Sequence, residues 1–119
     1  MKVLICGSRH FNDYEKLKKD VLDALPVGDY LGATVISGHA RGADTLGERL
    51  AEDMGWGLAV FPADWKTYGK GAGPIRNAQM LREGKPDVVI AFRGPESRGT
   101  QNMIDQATKA GIEVRIIEI

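Results

Sequence analysis

A single cysteine, Cys6, is all that these 119 residues carry. No internal disulfide can form and a four-cysteine zinc site is excluded, the cysteine usage expected of a reducing cytoplasm. Histidine is almost as scarce. His10 and His39 fall in different segments without a grouped carboxylate, a poor ligand set, so neither a metal nor another cofactor is expected. Charge of one sign is also missing, because Lys plus Arg and Asp plus Glu number 16 each. Without a net field to draw in a polyanion, broad nucleic-acid binding is disfavoured. Long hydrophobic runs are lacking as well. The N-terminal stretch has too few apolar residues for a signal-peptide core, and nothing downstream approaches a membrane span, so no membrane partner is expected.

What is present suits one globular domain over residues 1–119, with 43% hydrophobic and 27% charged residues. Short apolar runs at Lys2–Cys6, Ala33–Ser37, Gly57–Phe61, Asp87–Phe92 and Glu113–Ile117 read as strands. They are nearly continuous in Val, Ile, Leu and Ala, the pattern of parallel strands covered on both faces. Helical spacing lies between them. Asn12 or Asp13 caps a helix carrying Leu17, Val21, Leu22 and Leu25, ended by Pro26 and Gly28; Asp44, Leu46, Leu50, Ala51 and Met54 form a second, stopped by Gly55. Pro74 fits the first turn of a third through Leu81, and Thr100 begins a fourth that Gly111 closes. Alternating strands and helices predict an α/β, Rossmann-like three-layer sandwich with a five-stranded, mainly parallel sheet in the order 3-2-1-4-5. The stretch Pro62–Pro74 is longer than a turn requires and reads as an irregular lid or binding loop, in which Trp65 and Tyr68 either stack on a base or pin the loop to the core.

In an open parallel sheet ligands bind beyond the carboxyl ends of the strands, so the residues just after each strand carry the functional signal. The second strand runs into "SGHARGAD", Ser37–Asp44, where small and cationic residues crowd together. Of eight arginines, five (Arg9, Arg41, Arg76, Arg93 and Arg98) fall in or directly after the strand-end loops. Arginine's planar fork suits phosphate or carboxylate, neighbouring glycines let backbone N–H groups approach an anion, and helix N-termini add partial positive charge. The candidate ligand-binding set is Gly7, Ser8, Arg9, Ser37, Gly38, His39, Arg41, Gly42, Asp44, Arg76, Asn77, Arg98, Gly99 and Thr100. Taken singly, Gly7, Gly38 and Gly42 also fit plain strand-exit turns, and Asp44 an ordinary helix cap. Two familiar phosphate motifs are absent. "YGKGAG" lacks the Ser or Thr that follows the lysine of a P-loop, and "CGSRHF" stands where a dinucleotide-binding strand would carry G-x-G-x-x-G.

The segments "GSRHFND", "VISGHARGADTLGERLAEDMG", "FPADWKTYGKGAGPIRNAQML", "PDVVIAF" and "RGTQNMIDQATKAGIEV" together resemble the YspA-type, cpYpsA-related branch of the SLOG superfamily over essentially the whole chain. The superfamily includes the LOG phosphoribohydrolases and the DNA-uptake protein DprA. The resemblance implies a Rossmann-like fold, a phosphorylated nucleoside or ADP-ribose-like ligand at the same strand ends, and, with LOG-like relatives that pair, a homo-oligomer. LOG enzymes carry Pro-Gly-Gly-x-Gly-Thr-x-x-Glu, whose glycines take phosphate and whose glutamate serves catalysis. Here Gly99 and Thr100 match, the loop ahead of them is expanded, and Met103 stands at the glutamate's place. A binding module is therefore expected first, with Gly7, Ser8, Gly38, Gly42, Gly99 and Thr100 as donors and Arg9, Arg41 and Arg76 pairing with charge. The alternative is an enzyme cleaving an N-glycosidic bond with Asp44 or Glu96 in place of the missing glutamate. Single-stranded DNA binding is the third and least favoured reading.

Overall fold

A computed structural model describes residues 1–26, 28 and 30–119. Five parallel strands, β1 (Lys2–Gly7), β2 (Thr34–Ser37), β3 (Gly57–Val60), β4 (Val88–Arg93) and β5 (Glu113–Glu118), form one sheet in the order β3-β2-β1-β4-β5. The expected order and class are both found. β1 is central, pairing Lys2–Leu4 with Thr34–Ile36 on one side and Val3–Gly7 with Val88–Phe92 on the other. Its side chains alternate between two cores, as pleat geometry requires. Val3 and Ile5 join Leu17, Val21, Leu50 and Phe92 on one face, while Leu4 and Cys6 join Ile36, Met80, Met103 and Ile104 on the other.

One expectation about the sheet needs correction at two strands. β3 and β5 are not covered on both faces: Leu58 and Val60 on β3 and Ile116 on β5 are exposed. An edge strand and a central parallel strand both read as apolar runs, and only the pairing order tells them apart.

Helix α1 (Tyr14–Ala24) is capped by Asp13, whose carboxylate accepts from the Lys16 N–H at 3.1 Å. It stops before Leu25, which is extended because Pro26 crowds the α conformation of the residue before it. Helix α2 (Ala43–Met54) ends on Gly55 at φ 68°, the left-handed cap that glycine accepts without penalty. The stretch after β3 is not irregular. Asp64 caps a short helix, α3 (Trp65–Tyr68), accepting from Thr67 N–H at 3.1 Å, and a 3-10 turn (Gly69–Gly71) leads into α4 (Ala72–Gln79). α4 thus starts two residues before Pro74 and runs on as a π turn through Met80–Gly84. Helix α5 (Arg98–Lys109) likewise begins two residues earlier than expected, at the end of the β4 loop, and presents Met103, Ile104 and Ala107 to the sheet.

Candidate functional site

The sheet reverses its winding between β1 and β4, so the loops leaving their carboxyl ends part and open a crevice. On the β1 side the chain passes close to everything around it. A Cβ on Gly7 would lie 2.5 Å from the Phe92 carbonyl oxygen and 2.8 Å from the Ala43 Cβ. Ser8 N–H donates to that Phe92 carbonyl at 2.9 Å, and the Ser8 carbonyl accepts from Ala43 N–H at 3.1 Å, which ties the loop to the start of α2. Gly42 makes this contact possible. Its φ is 81°, and a Cβ there would run into the Ser8 carbonyl and the Arg9 backbone. Ser8 Oγ accepts from His10 N–H at 3.2 Å, leaving its hydroxyl proton for another acceptor.

Gly42, not Asp44, occupies the cap position of α2. The buried Asp44 carboxylate turns back to accept from Ala40 N–H at 3.3 Å. Burial pushes its pKa up to about 6, against the lowering effect of that N–H and of the Arg76 guanidinium. Arg76 arrives from α4, donating from Nη1 to the Gly38 carbonyl at 2.6 Å and from Nε to Asn77 Oδ1 at 3.0 Å. A Cβ on Gly38 would sit 2.5 Å from that Nη1 and 3.0 Å from Asp44 Oδ2, so the glycine leaves the space that these two side chains fill. Asn77 then donates to the Gly99 carbonyl at 3.3 Å and to Asn102 Oδ1 at 3.0 Å, locking α4 to the first turn of α5.

At that turn Ser97 Oγ accepts from Gly94 N–H at 2.8 Å instead of capping the helix, and Arg98 N–H reaches the Glu96 carbonyl at 3.0 Å. Among the described residues no acceptor takes up the N–H groups of Gly99 and Thr100, which are left at the positive end of α5.

Two adjoining cavities result. The first, about 710 Å³, is lined by Gly7, Ser8, Arg9, Asp44, Arg76, Asn77, Glu96, Arg98, Gly99 and Thr100 from the sequence-based set, with Cys6, His10, Ala40, Met80, Pro95, Ser97 and Met103 added. The second, about 480 Å³, takes Gly38, His39 and Arg41 with Pro62, Ala63 and Trp65, and shares Arg9, Ala40 and Arg76 with the first. Ser37 and Gly42 line neither and act by positioning. Met103 is a buried thioether in the first cavity's wall.

The arginines divide by location. Arg49, Arg82, Arg93 and Arg115 lie away from the cavities and each pairs with a carboxylate: Asp53 at 3.8 Å, Glu83 at 3.3 Å, Glu118, and Glu113 at 2.6 Å. Arg9, Arg41, Arg76 and Arg98 line the cavities, and none has an ion-pair partner among the described residues. Arg93, grouped with the strand-end arginines by position, is thus a tie between β4, β5 and Gln101 Oε1, which accepts from it at 2.9 Å.

Glu48 is the residue that the sequence reading missed. It accepts from Ser37 Oγ at 2.7 Å and from His39 Nδ1 at 2.9 Å, while His39 N–H donates to Ser37 Oγ at 3.0 Å. The available signal was its spacing, since Glu48 follows Asp44 by one helical turn and shares its face.

The first 68 residues match the model of the YspA, cpYpsA-related SLOG family. The chain is 42% identical to the Gene 61 protein of Mycobacterium phage D29 over 118 residues, 95% of this chain and 93% of that one. Its fold is similar to that of DNA processing protein A (DprA) from Streptococcus pneumoniae, with a TM-score of 0.74, 18% identity and 97% of this chain covered. The chain spans about half of DprA, 49% of its length. The strand order, the crevice at its reversal and these matches agree, and the chain belongs to the YspA, cpYpsA-related SLOG family.

Proposed function

We propose that this domain binds a phosphorylated nucleoside or a nucleotide-derived small molecule in the first cavity. The observation that carries the reading is the division of the arginines: among the described residues the four at the cavities have no ion-pair partner, and Arg9, Arg41 and Arg98 make no side-chain hydrogen bond either, whereas the four elsewhere are paired with carboxylates. A cation kept free in a concave site is available to an anion, and the free N–H groups of Gly99 and Thr100 supply the neutral donors that phosphate oxygens take. Calorimetric titration of the purified protein with AMP and with adenosine tests this. Adenosine should bind at least about tenfold more weakly, since it lacks the group that the charge-assisted contacts recognise, and Arg98→Ala should cost AMP about tenfold. Equal affinities for the two ligands would remove the phosphate from the account.

A second reading, cleavage of the N-glycosidic bond, is favoured by Asp44 alone, a buried carboxyl in the cavity wall with a pKa near the range where it exchanges protons. Such cleavage builds positive charge on the sugar, which a carboxylate beside it stabilises. The Met103 thioether carries no charge and cannot do so. Chromatography of the same AMP samples should show no adenine release. Release lost in Asp44→Asn or Glu96→Gln would make the enzyme reading the better one.

DprA is named for DNA processing, and exposed Trp65 and Tyr68 give that theme a foothold here, but a chain of zero net charge favours the small molecule. Self-association in a cytoplasmic setting belongs to the same proposal, supported by the exposed Leu58, Val60 and Ile116 on the sheet edges. A monomer in light scattering at high concentration would remove the self-association.

A further inference from the structure

We infer that His39, aimed by Glu48, is a nucleophile in the second cavity that takes a phosphoryl group from a small acyl phosphate or phosphoanhydride and passes it to water. The inference stands apart from the reading of the first cavity, and its failure would leave that reading as it is.

Three contacts fix the histidine. The Glu48 side chain is 17% exposed and accepts from the fully buried Ser37 Oγ at 2.7 Å, which holds the carboxylate from behind. Ser37 Oγ in turn accepts from the His39 N–H at 3.0 Å. The His39 ring then meets Glu48 through Nδ1, at 3.0 and 2.9 Å from the two carboxylate oxygens. Because an ionised carboxylate only accepts, the proton between them sits on Nδ1, and Nε2 of the neutral ring keeps its lone pair. The ring is 55% exposed and lines the second cavity. An ordinary surface ion pair has no need of a buried serine behind its carboxylate, nor of a strained backbone. His39 has both, with φ at 59°, a left-handed conformation that residues other than glycine seldom adopt and that collects where a side chain must be placed for function.

The lining of the cavity names the substrate. Its charged groups beside His39 are Arg9, Arg41 and Arg76, with no carboxyl, thiol or phenol among the described residues. Arg76 is engaged with the Gly38 carbonyl and Asn77, but the Arg9 and Arg41 guanidinium groups have no hydrogen-bond or ion-pair partner among the described residues and are open to a phosphoryl dianion. The missing acid decides the leaving group. Guanidinium does not give up its proton, so nothing in the lining can protonate a departing alkoxide, whereas an acyl phosphate or a phosphoanhydride loses a carboxylate or a phosphate that is stable as an anion. Nε2 attacks phosphorus with its lone pair, the bond from phosphorus to the bridging oxygen breaks, and that oxygen leaves with the electron pair. The ring, with a proton on Nδ1 and phosphorus on Nε2, then carries a positive charge that the Glu48 carboxylate stabilises. Water attacks phosphorus next, the electron pair of the N–P bond returns to Nε2, and dihydrogen phosphate leaves.

The test incubates the full chain with acetyl phosphate and reads two signals, the phosphoryl group by intact mass with peptide mapping and the release of inorganic phosphate, so that a short-lived adduct is still counted. The parent should release phosphate faster than the protein-free solution and carry an acid-labile, alkali-stable phosphoryl group on His39 but not on His10, whose ring meets no carboxylate among the described residues. His39→Gln should abolish both signals. Glu48→Gln should lower the maximal rate about tenfold or more without changing the half-saturating concentration, the mark of a positioning residue that acts on the chemical step. Arg41→Ala should do the reverse, raising the half-saturating concentration about tenfold. Glycerol phosphate, an alkyl ester, should give neither signal. Thermal melts establish that each variant is folded; should Glu48→Gln fail to fold, the site of the label and Arg41→Ala decide. Neither signal in the parent, signals retained in His39→Gln, equal labelling of His10 and His39, turnover of glycerol phosphate as fast as acetyl phosphate, or a parent-like rate in Glu48→Gln or parent-like saturation in Arg41→Ala would overturn the proposal.

Discussion

Gly42→Val lowers the melting temperature by about 12 °C and abolishes AMP binding even where the variant is still folded. The prediction follows from two separate penalties. A side chain at φ 81° is held in the left-handed region, which costs about 1–2 kcal/mol and more for a β-branched residue. The new Cβ also meets the Ser8 carbonyl and the Arg9 backbone, which are not flexible side-chain ends, and overpacking of this kind costs about 1–3 kcal/mol. Together these amount to roughly 3 kcal/mol, and for a domain of this size each kcal/mol shifts the midpoint by about 4 °C. Binding is lost because relief of the clash pushes the Gly7–Arg9 loop away from α2, breaking the bond from Ala43 N–H to the Ser8 carbonyl. Gly99→Ala is the control for stability, since a Cβ there meets nothing within 4 Å. Thermal melts of both variants check the contrast; a Gly42→Val melt matching the parent's would show that the close approach of the two loops does not hold the site together.

Asp44→Asn stabilises the domain at pH 7, the opposite of the usual effect of altering a buried polar residue. The Asp44 pKa is raised from 3.8 to about 6, chiefly by burial. An acid whose folded pKa is raised binds its proton more tightly in the folded state. Its contribution to stability is therefore full below the unfolded value near 4 and is lost as pH rises through about 6. Above that, ionised Asp44 costs up to about 3 kcal/mol, two pKa units at about 1.4 kcal/mol each. Asparagine keeps an oxygen to accept from Ala40 N–H and carries no charge to desolvate. Urea denaturation of parent and variant at about pH 3.5 and about pH 7 should show a stability difference that favours the variant at the higher pH and nearly vanishes at the lower, which lies below the unfolded value. A variant less stable than the parent at pH 7 would mean that the favourable field of Arg76 outweighs desolvation.

Much of the fold was legible because β1 and β4 are buried on both faces and read as unbroken apolar runs, and because Asp13, Pro26 and Gly55 punctuate helices by local chemistry. The exposure of β3 and β5 was not, since pairing order is a non-local property. The helix α3 was hidden by four glycine or proline residues nearby, Pro62, Gly69, Gly71 and Gly73, which outvoted the single cap at Asp64. Of the positions the sequence singled out as ligand donors, Ser8 and Gly99 line the first cavity and Gly42 lies at a close approach of two loops. The split into two cavities depends on Arg76 reaching back from α4 to Gly38, a contact across 38 residues that no local pattern encodes. Glu48 shares a helix face with Asp44 by its spacing, but no local pattern names its partners. Its partners Ser37 and His39 come to it only because the chain turns through a left-handed residue between strand and helix. The paired or unpaired state of an arginine is equally invisible in sequence, yet it is the observation on which the functional reading depends.

The most direct measurement of the central claim is a nitrogen–proton correlation spectrum of the labelled protein titrated with AMP, read amide by amide. Ser8, Gly99 and Thr100 have backbone N–H groups at the first cavity, and their signals should move first and furthest, with Arg98→Ala raising the AMP concentration needed. Unmoved signals at these three residues, or shifts confined to the exposed edge strands β3 and β5, would contradict a phosphate site at the carboxyl ends of the central strands.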